Sequence, residues 1–176
     1  VLTAGLLCAR GPGAPCGACG ACRRVHADSH PDVLVVDVVS EGEEEIKLQR
    51  IAPREAGEGP SVGSFLSLRA MESGWRVVLV RDAERLNEEA QNALLKTLEE
   101  PGADTLIVLV TARPDLLLPT VHSRCVRVRC AAPGEEVARR VLADEGIDAE
   151  LAELYARWSR GAPGEALAHA RHSAVE

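Results

Sequence analysis

Cys8, Cys16, Cys19 and Cys22 lie within fifteen residues, spaced C-x7-C-x2-C-x2-C. Four thiolates can close a tetrahedral zinc site with bonds of ~2.3 Å, and short C-x2-C steps supply such ligands in pairs. The Gly and Pro of the intervening ARGPGAPCGACGA let the backbone fold tightly enough for the sulfurs to converge. A zinc ion with four protein ligands has no open position, so the expected role is structural rather than catalytic. An iron–sulfur cluster accepts the same ligands. Disulfide or redox pairing is the third reading, although such tight spacing in an acidic, aromatic-poor chain does not resemble a disulfide scaffold. His26 and His30 follow closely enough to substitute as ligands; with four thiols present they are expected at a helix end or on the surface.

Other reactive side chains point to less. His122 and Ser123 are adjacent, and neighbouring side chains diverge in regular structure, so a Ser/His hydrolase is not expected. Glu43, Glu44 and Glu45 read as a solvated face. The chain has only two lysines, Lys47 and Lys96, against eighteen arginines; neither follows a glycine, so no G-x-x-x-x-G-K-[ST] phosphate loop is present.

The elements that must position these groups follow an α/β pattern. VLVVDV (33–38), RVVLVR (76–81) and TLIVLV (105–110) are apolar runs expected as strands buried on both faces of a parallel sheet. Residues 40–60 read as a loop, and 61–73 as a helix carrying Val62, Phe65, Leu66 and Met71 and ended by Gly74. Asn87 is expected to cap a helix with Leu86, Ala90, Ala93, Leu94 and Leu98 on one stripe, stopping at Pro101. CVRVRC (125–130) alternates like an edge strand. After Pro133 three helical segments follow, separated by Gly146 and by Gly161-Ala162-Pro163-Gly164. The expected division is therefore an α/β domain over 1–132, with the cysteine module at 8–26, and a small helical domain over 133–176.

Composition limits what such a fold can do. The chain has 176 residues, 46% of them hydrophobic and 27% charged, which suits a folded protein. No apolar run approaches the ~18 residues of a membrane span, and a soluble, cytoplasmic protein is the expectation. A net charge of −7 gives no broad basic field for nucleic acid. Met71 is the sole methionine, so Val1 is not an initiator, and a processed chain or an internal fragment is expected.

Four strings together resemble the AAA+ clamp-loader subunits of bacterial DNA polymerase III. They are the run from Arg81 through Asn87 to Pro101, Ser123-Arg124-Cys125, the four-cysteine module, and Gly161-Ala162-Pro163-Gly164-Glu165-Ala166-Leu167 in the family's helical lid. The resemblance covers nearly the whole chain, starting downstream of the family's phosphate loop. It implies an AAA+ nucleotide-binding-type domain with an inserted zinc module and a lid. It also places Arg81 where the family's ATPases hold a Mg²⁺-binding aspartate, Asp82 at the catalytic glutamate, and Glu165 at a nucleotide-touching arginine. A guanidinium repels Mg²⁺ and cannot lose its charge; a carboxylate repels phosphates. A register shifted to Asp82 and Glu84 puts Ala83 at the catalytic position. The resemblance thus implies the non-hydrolysing delta-prime type of subunit, with ATP and Mg²⁺ at neighbouring subunits only. Arg124, between Ser123 and Cys125, is implied to reach a neighbour's ATP as an arginine finger, Cys125 to be small and buried, and Thr111 to stand at the family's sensor position. The implied partners are gamma/tau and delta subunits and, through the assembly, the sliding clamp and primer-template DNA. An active gamma/tau-type ATPase is the first alternative. A zinc-stapled interaction module without ATPase partners is the second, and Arg124 in a plain surface ion pair is the plainer reading of that residue.

Overall fold

The computed structural model describes residues 2–38, 43–52 and 60–173; the loop expected over 40–60 lies partly outside them. The chain divides into two compact units, Val1–Val126 and Arg127–Glu176. In the first, α1 (Leu2–Leu6) and α2 (Gly20–His26) precede β1 (Val33–Val36), α3 (Leu48–Ile51), α4 (Val62–Ser67), β2 (Arg76–Val80), α5 (Glu88–Glu99), β3 (Thr105–Leu109) and α6 (Pro119–His122). The strands form a parallel sheet in the order β1-β2-β3, with Val33 opposite Val77 and Arg76 opposite Thr105.

Only the central strand, β2, is buried nearly throughout; β1 alternates, and β3 is half-buried along its length. The most buried strand belongs to the least apolar run, RVVLVR, so position in the sheet, not composition, sets the difference. Leu34, Val36, Val78 and Val80 pack with Ile46, Ile51, Val62, Leu86, Ala90 and Leu94 into the core. Removing apolar surface from water at ~25 cal/mol per Å² is what holds these helices on the sheet. The Asn87 side chain accepts a hydrogen bond from the Ala90 N–H at 2.9 Å, capping α5 as its sequence requires.

Two expected elements come out differently. The helix expected over 61–73 stops at Ser67, and Met71 is 75% exposed. Its start is fixed by a capping box: Ser61 accepts from the Ser64 N–H, and Ser64 accepts from the Ser61 N–H. Beyond it the chain is claimed by Asp32, a fully buried carboxylate just before β1. Asp32 accepts the N–H groups of Met71, Glu72 and Ser73 at 2.6, 2.8 and 3.0 Å, and the Ser73 hydroxyl at 3.0 Å. A backbone turned toward one carboxylate cannot continue a helix. The strand expected over 125–130 is also absent, with Val126 93% and Val128 76% exposed. Alternation permits a strand, but the ladder needs a neighbour, and none pairs with this segment among the described residues.

Burial alone would raise the Asp32 pKa, but its hydrogen bonds outweigh it and hold the carboxyl below its usual range. The depressed value means that the carboxylate stabilises the fold fully above the unfolded-state pKa, near 4, and that this contribution is lost as pH falls through the folded value. Asp32→Asn is expected to remove about 2–3 kcal/mol at neutral pH. The difference from the parent should shrink in urea melts below about pH 4; a constant difference would contradict the assignment.

In the second unit α7 (Glu135–Asp144), α8 (Ala149–Trp158) and α9 (Pro163–Ser173) bury Ala138, Leu142, Ala152, Ala156, Ala166 and Ala170 against one another. Gly161 has φ +77°, and a Cβ there would lie 2.4 Å from the Gly134 backbone. The small-residue turn thus seats the start of α9 against the start of α7. No helix among the described residues is long and apolar enough to cross a membrane.

Candidate functional site

The cysteine module is built on α1 and α2. The loop between them packs so closely that a Cβ on Gly5 would lie 2.1 Å from the Gly13 carbonyl oxygen. Cys8 and Cys22 are buried, with Cys16 and Cys19 beside them. The Cys22 thiol donates to the Ala4 carbonyl at 3.8 Å, and the sulfurs of Cys16 and Cys19 accept the N–H groups of Cys19 and Cys22 at 3.4 Å. All four sulfurs lie within 4.8 Å of one another, and none is in a disulfide. A tetrahedron of 2.3 Å bonds has edges of about 3.8 Å, so a small contraction closes a metal site. Backbone N–H groups, that of Cys22 foremost, lower the Cys19 thiol to about 6; the Arg10 and Cys16 N–H groups lower Cys8, and burial lifts Cys22 to about 11. Two sulfurs are thus biased toward thiolate while burial holds a third neutral. A divalent ion is what allows four adjoining sulfurs to carry charge together. The donor set therefore fits a metal ion, as its spacing suggested.

Neither histidine joins the cluster. His26 is exposed at the end of α2, as expected. His30 is instead buried, at 3% exposure: its Nδ1 accepts the Asp32 N–H at 3.1 Å, and its Nε2 lies 3.9 Å from Glu72. Burial keeps its pKa below the ordinary histidine value. The His-Pro-Asp turn tucks the ring inward, which local sequence does not announce.

At the end of β2, Arg81 reaches Asp28 with Nη2 at 3.1 and 3.2 Å and lies 3.6 Å from Asp37 at the end of β1. Asp82 follows in a left-handed conformation, φ +50°, with an exposed side chain. Burial opposes ionisation of Glu84, but hydrogen bonds from the Thr111 hydroxyl and the Ala112 N–H, with Arg85 nearby, hold its pKa below the usual range. Thr111 also accepts the Arg113 N–H at 3.0 Å, closing the turn after β3. The strand ends therefore present one arginine bridged by two aspartates.

Arg124 sits in the turn after α6. Its Nε donates to Glu99 at 2.8 Å and its Nη1 to the Thr120 carbonyl at 2.9 Å and the Ser123 hydroxyl at 3.1 Å; Nη2 also meets Glu99. Ser123 donates to Thr120, and the His122 Nε2–H donates to the Pro114 carbonyl, so these two side chains form no catalytic pair. Cys125 is half-buried rather than enclosed, and burial pushes its thiol up.

Gln91 fixes the approach to this turn and was not singled out by the sequence. Its amide donates to the Leu86 carbonyl at 3.0 Å and accepts the Leu118 N–H at 2.7 Å, tying α5 to the segment that enters α6. The signal was available: Gln91 lies one turn before Leu94 and two before Leu98, so it falls on the apolar stripe of α5. Gln91→Ala is expected to cost about 2–3 kcal/mol, because the buried Leu86 carbonyl and the half-buried Leu118 N–H lose their partner. Limited proteolysis should then cut first near 114–118; unchanged protection there would contradict this clamp role. Glu165 is exposed in the first turn of α9, where a carboxylate also favours the helix N-terminus.

A parallel sheet capped by helices, with a four-cysteine module earlier in the chain and a helical unit later in it, defines an AAA+-type subunit. The family model described as "DNA polymerase III, delta subunit" matches residues 1–133. A DNA polymerase III subunit delta' from Pseudomonas aeruginosa is 40% identical over 163 residues, covering 90% of this chain and 46% of that protein. Its counterpart from Escherichia coli K12 is 40% identical over 167 residues, covering 93% and 47%. The crystal structure of a DNA polymerase III gamma subunit-related protein from Thermotoga maritima superposes with a TM-score of 0.54 at 31% identity, covering 74% of this chain and 43% of that one. The chain belongs to the delta-prime family of DNA polymerase III clamp-loader subunits. It spans about half the length of the two delta' relatives.

Proposed function

We propose that the full-length protein is the delta-prime subunit of a cytoplasmic clamp loader, hydrolyses no ATP itself, and presents Arg124 to the ATP of a neighbouring gamma/tau-type subunit. With a delta subunit and these ATPases it would help to load the sliding clamp on primer-template DNA. The observation that carries this reading is Arg81, held between Asp28 and Asp37 at the strand end where ATPases of the family hold Mg²⁺. A fixed positive charge there opposes a second cation. Arg124 lies at the surface in the Ser-Arg-Cys turn, which supports its reach toward another chain. A trans arginine offsets charge building on the transferred phosphoryl group. The chain's acidic balance supports contact with DNA being shared with partners.

The Cys8, Cys16, Cys19 and Cys22 thiolates would hold zinc, closed to substrate and structural in role. Elemental analysis should find about one zinc per chain; iron would overturn this assignment. The functional test is reconstitution of the full-length protein with its ATPase partners. Arg124→Ala should assemble normally and lower DNA-stimulated ATPase, whereas an unchanged rate removes the finger role. Mg²⁺-dependent turnover by the isolated full-length protein would instead favour a gamma/tau-type ATPase.

A further inference from the structure

We infer that Glu99 is a positioning residue for Arg124, an inference that rests on the finger reading above. Glu99 is the last residue of α5, where the helix exposes unpaired carbonyls and favours cations over carboxylates. A glutamate there is disfavoured unless a cation meets it, and the Arg124 guanidinium does. The pair is 31% and 50% exposed, and exposed pairs add little to stability. What it adds is direction. Glu99 takes the Nε and Nη2 side of the guanidinium, while the Thr120 carbonyl and the Ser123 hydroxyl take Nη1. Four contacts from five N–H donors leave an N–H on Nη2 free to point outward.

A flexible arginine reaching a phosphate from across an interface must first be ordered, and a misplacement of about 1 Å can cost a hundredfold in rate. Glu99 does that ordering within the subunit, on a helix whose first turn is capped by Asn87 and clamped by Gln91. In the isolated subunit Arg124 is therefore already held by these contacts, and its remaining donor is aimed before a neighbour arrives.

The test uses the full-length protein in a reconstituted loader, with assembly checked by size-exclusion chromatography. Glu99→Ala should lower kcat for DNA-stimulated ATP hydrolysis about tenfold with KM for ATP nearly unchanged. Glu99→Gln, which keeps an oxygen acceptor for Nε–H, should recover most of that loss. Glu99→Ala combined with Arg124→Ala should be no slower than Arg124→Ala alone, because Glu99 acts only through Arg124. A parental or faster rate in Glu99→Ala overturns the inference, as does a double variant slower than Arg124→Ala. If Arg124→Ala itself leaves the rate unchanged, the finger reading fails and takes this inference with it; loss only in Arg124→Ala spares that reading and removes Glu99.

Discussion

Replacing Arg124 by alanine is expected to leave the subunit folded and assembled while DNA-stimulated ATPase of the loader falls by about tenfold or more. The stability side is small because Arg124 pairs with Glu99 at the surface, where such bridges contribute about 0–1 kcal/mol. The catalytic side is large because a trans arginine acts on charge that develops only in the transition state. In well-studied GTPases it is worth ~10³–10⁵ in rate, or about 4–7 kcal/mol. Only one ATP site in a ring would face this subunit, so a tenfold fall in overall turnover requires the sites to fire in one coupled cycle, in which a stalled site holds back the others. Arg124→Lys should not restore the rate, since a point charge cannot hold Glu99 and a phosphate together as the planar guanidinium does. Melting temperature and assembly separate this outcome from misfolding, and a full rate in Arg124→Lys would mean that charge alone suffices.

Removing the metal should have the largest structural effect. A structural zinc contributes ~10–16 kcal/mol of apparent binding energy in small domains, and zinc held by these four cysteines would act on residues 8–26. Among the described residues the apolar cluster of the module is small: Ala4, the cysteines and Val25. The sheet has its own core in Val36, Val78, Val80 and Leu94. Chelation, or Cys22→Ser, is therefore expected to expose the amides of 8–26 to hydrogen exchange while β2 and α5 stay protected. Metal ligation competes with protons, so the same loss should appear as pH falls toward the thiol range, starting from the metal-bound protein. Uniform loss of protection across β2 would show that the module supports the whole domain; unchanged protection at 8–26 would remove the structural metal.

These expectations also show what the sequence carries. β2, α5 and the cysteine site were readable because each depends on local pattern: an apolar run, a capped stripe, a ligand spacing. The 61–73 segment failed as one helix because Asp32, some forty residues earlier, captures its backbone. Residues 125–130 failed as a strand because pairing belongs to the neighbour, not to the segment. His30 was expected at the surface for the same reason, since its burial depends on contacts from other elements, whereas Gln91 was passed over although its place on the apolar stripe of α5 marked it. Buried Arg76 is a further case: read only as a strand start, it donates to the Arg69 and Phe65 carbonyls and lies over the Phe65 ring at 4.2 Å. The roles proposed for Arg81 and Arg124 rest on family resemblance, because one arginine looks like another until its surroundings are known.

The bridge of Arg81 to Asp28 and Asp37 also bears on how reversible a loss of hydrolysis would be. Arg81→Asp would not simply recreate an ATPase. It would set a third carboxylate against two that now lean on the arginine, and like charges so close resist ionising together. A return path would need Asp28, in the turn after the cysteine module, to change as well. Two aspartates thus make the arginine hard to exchange singly, because a carboxylate in its place would face two others already there.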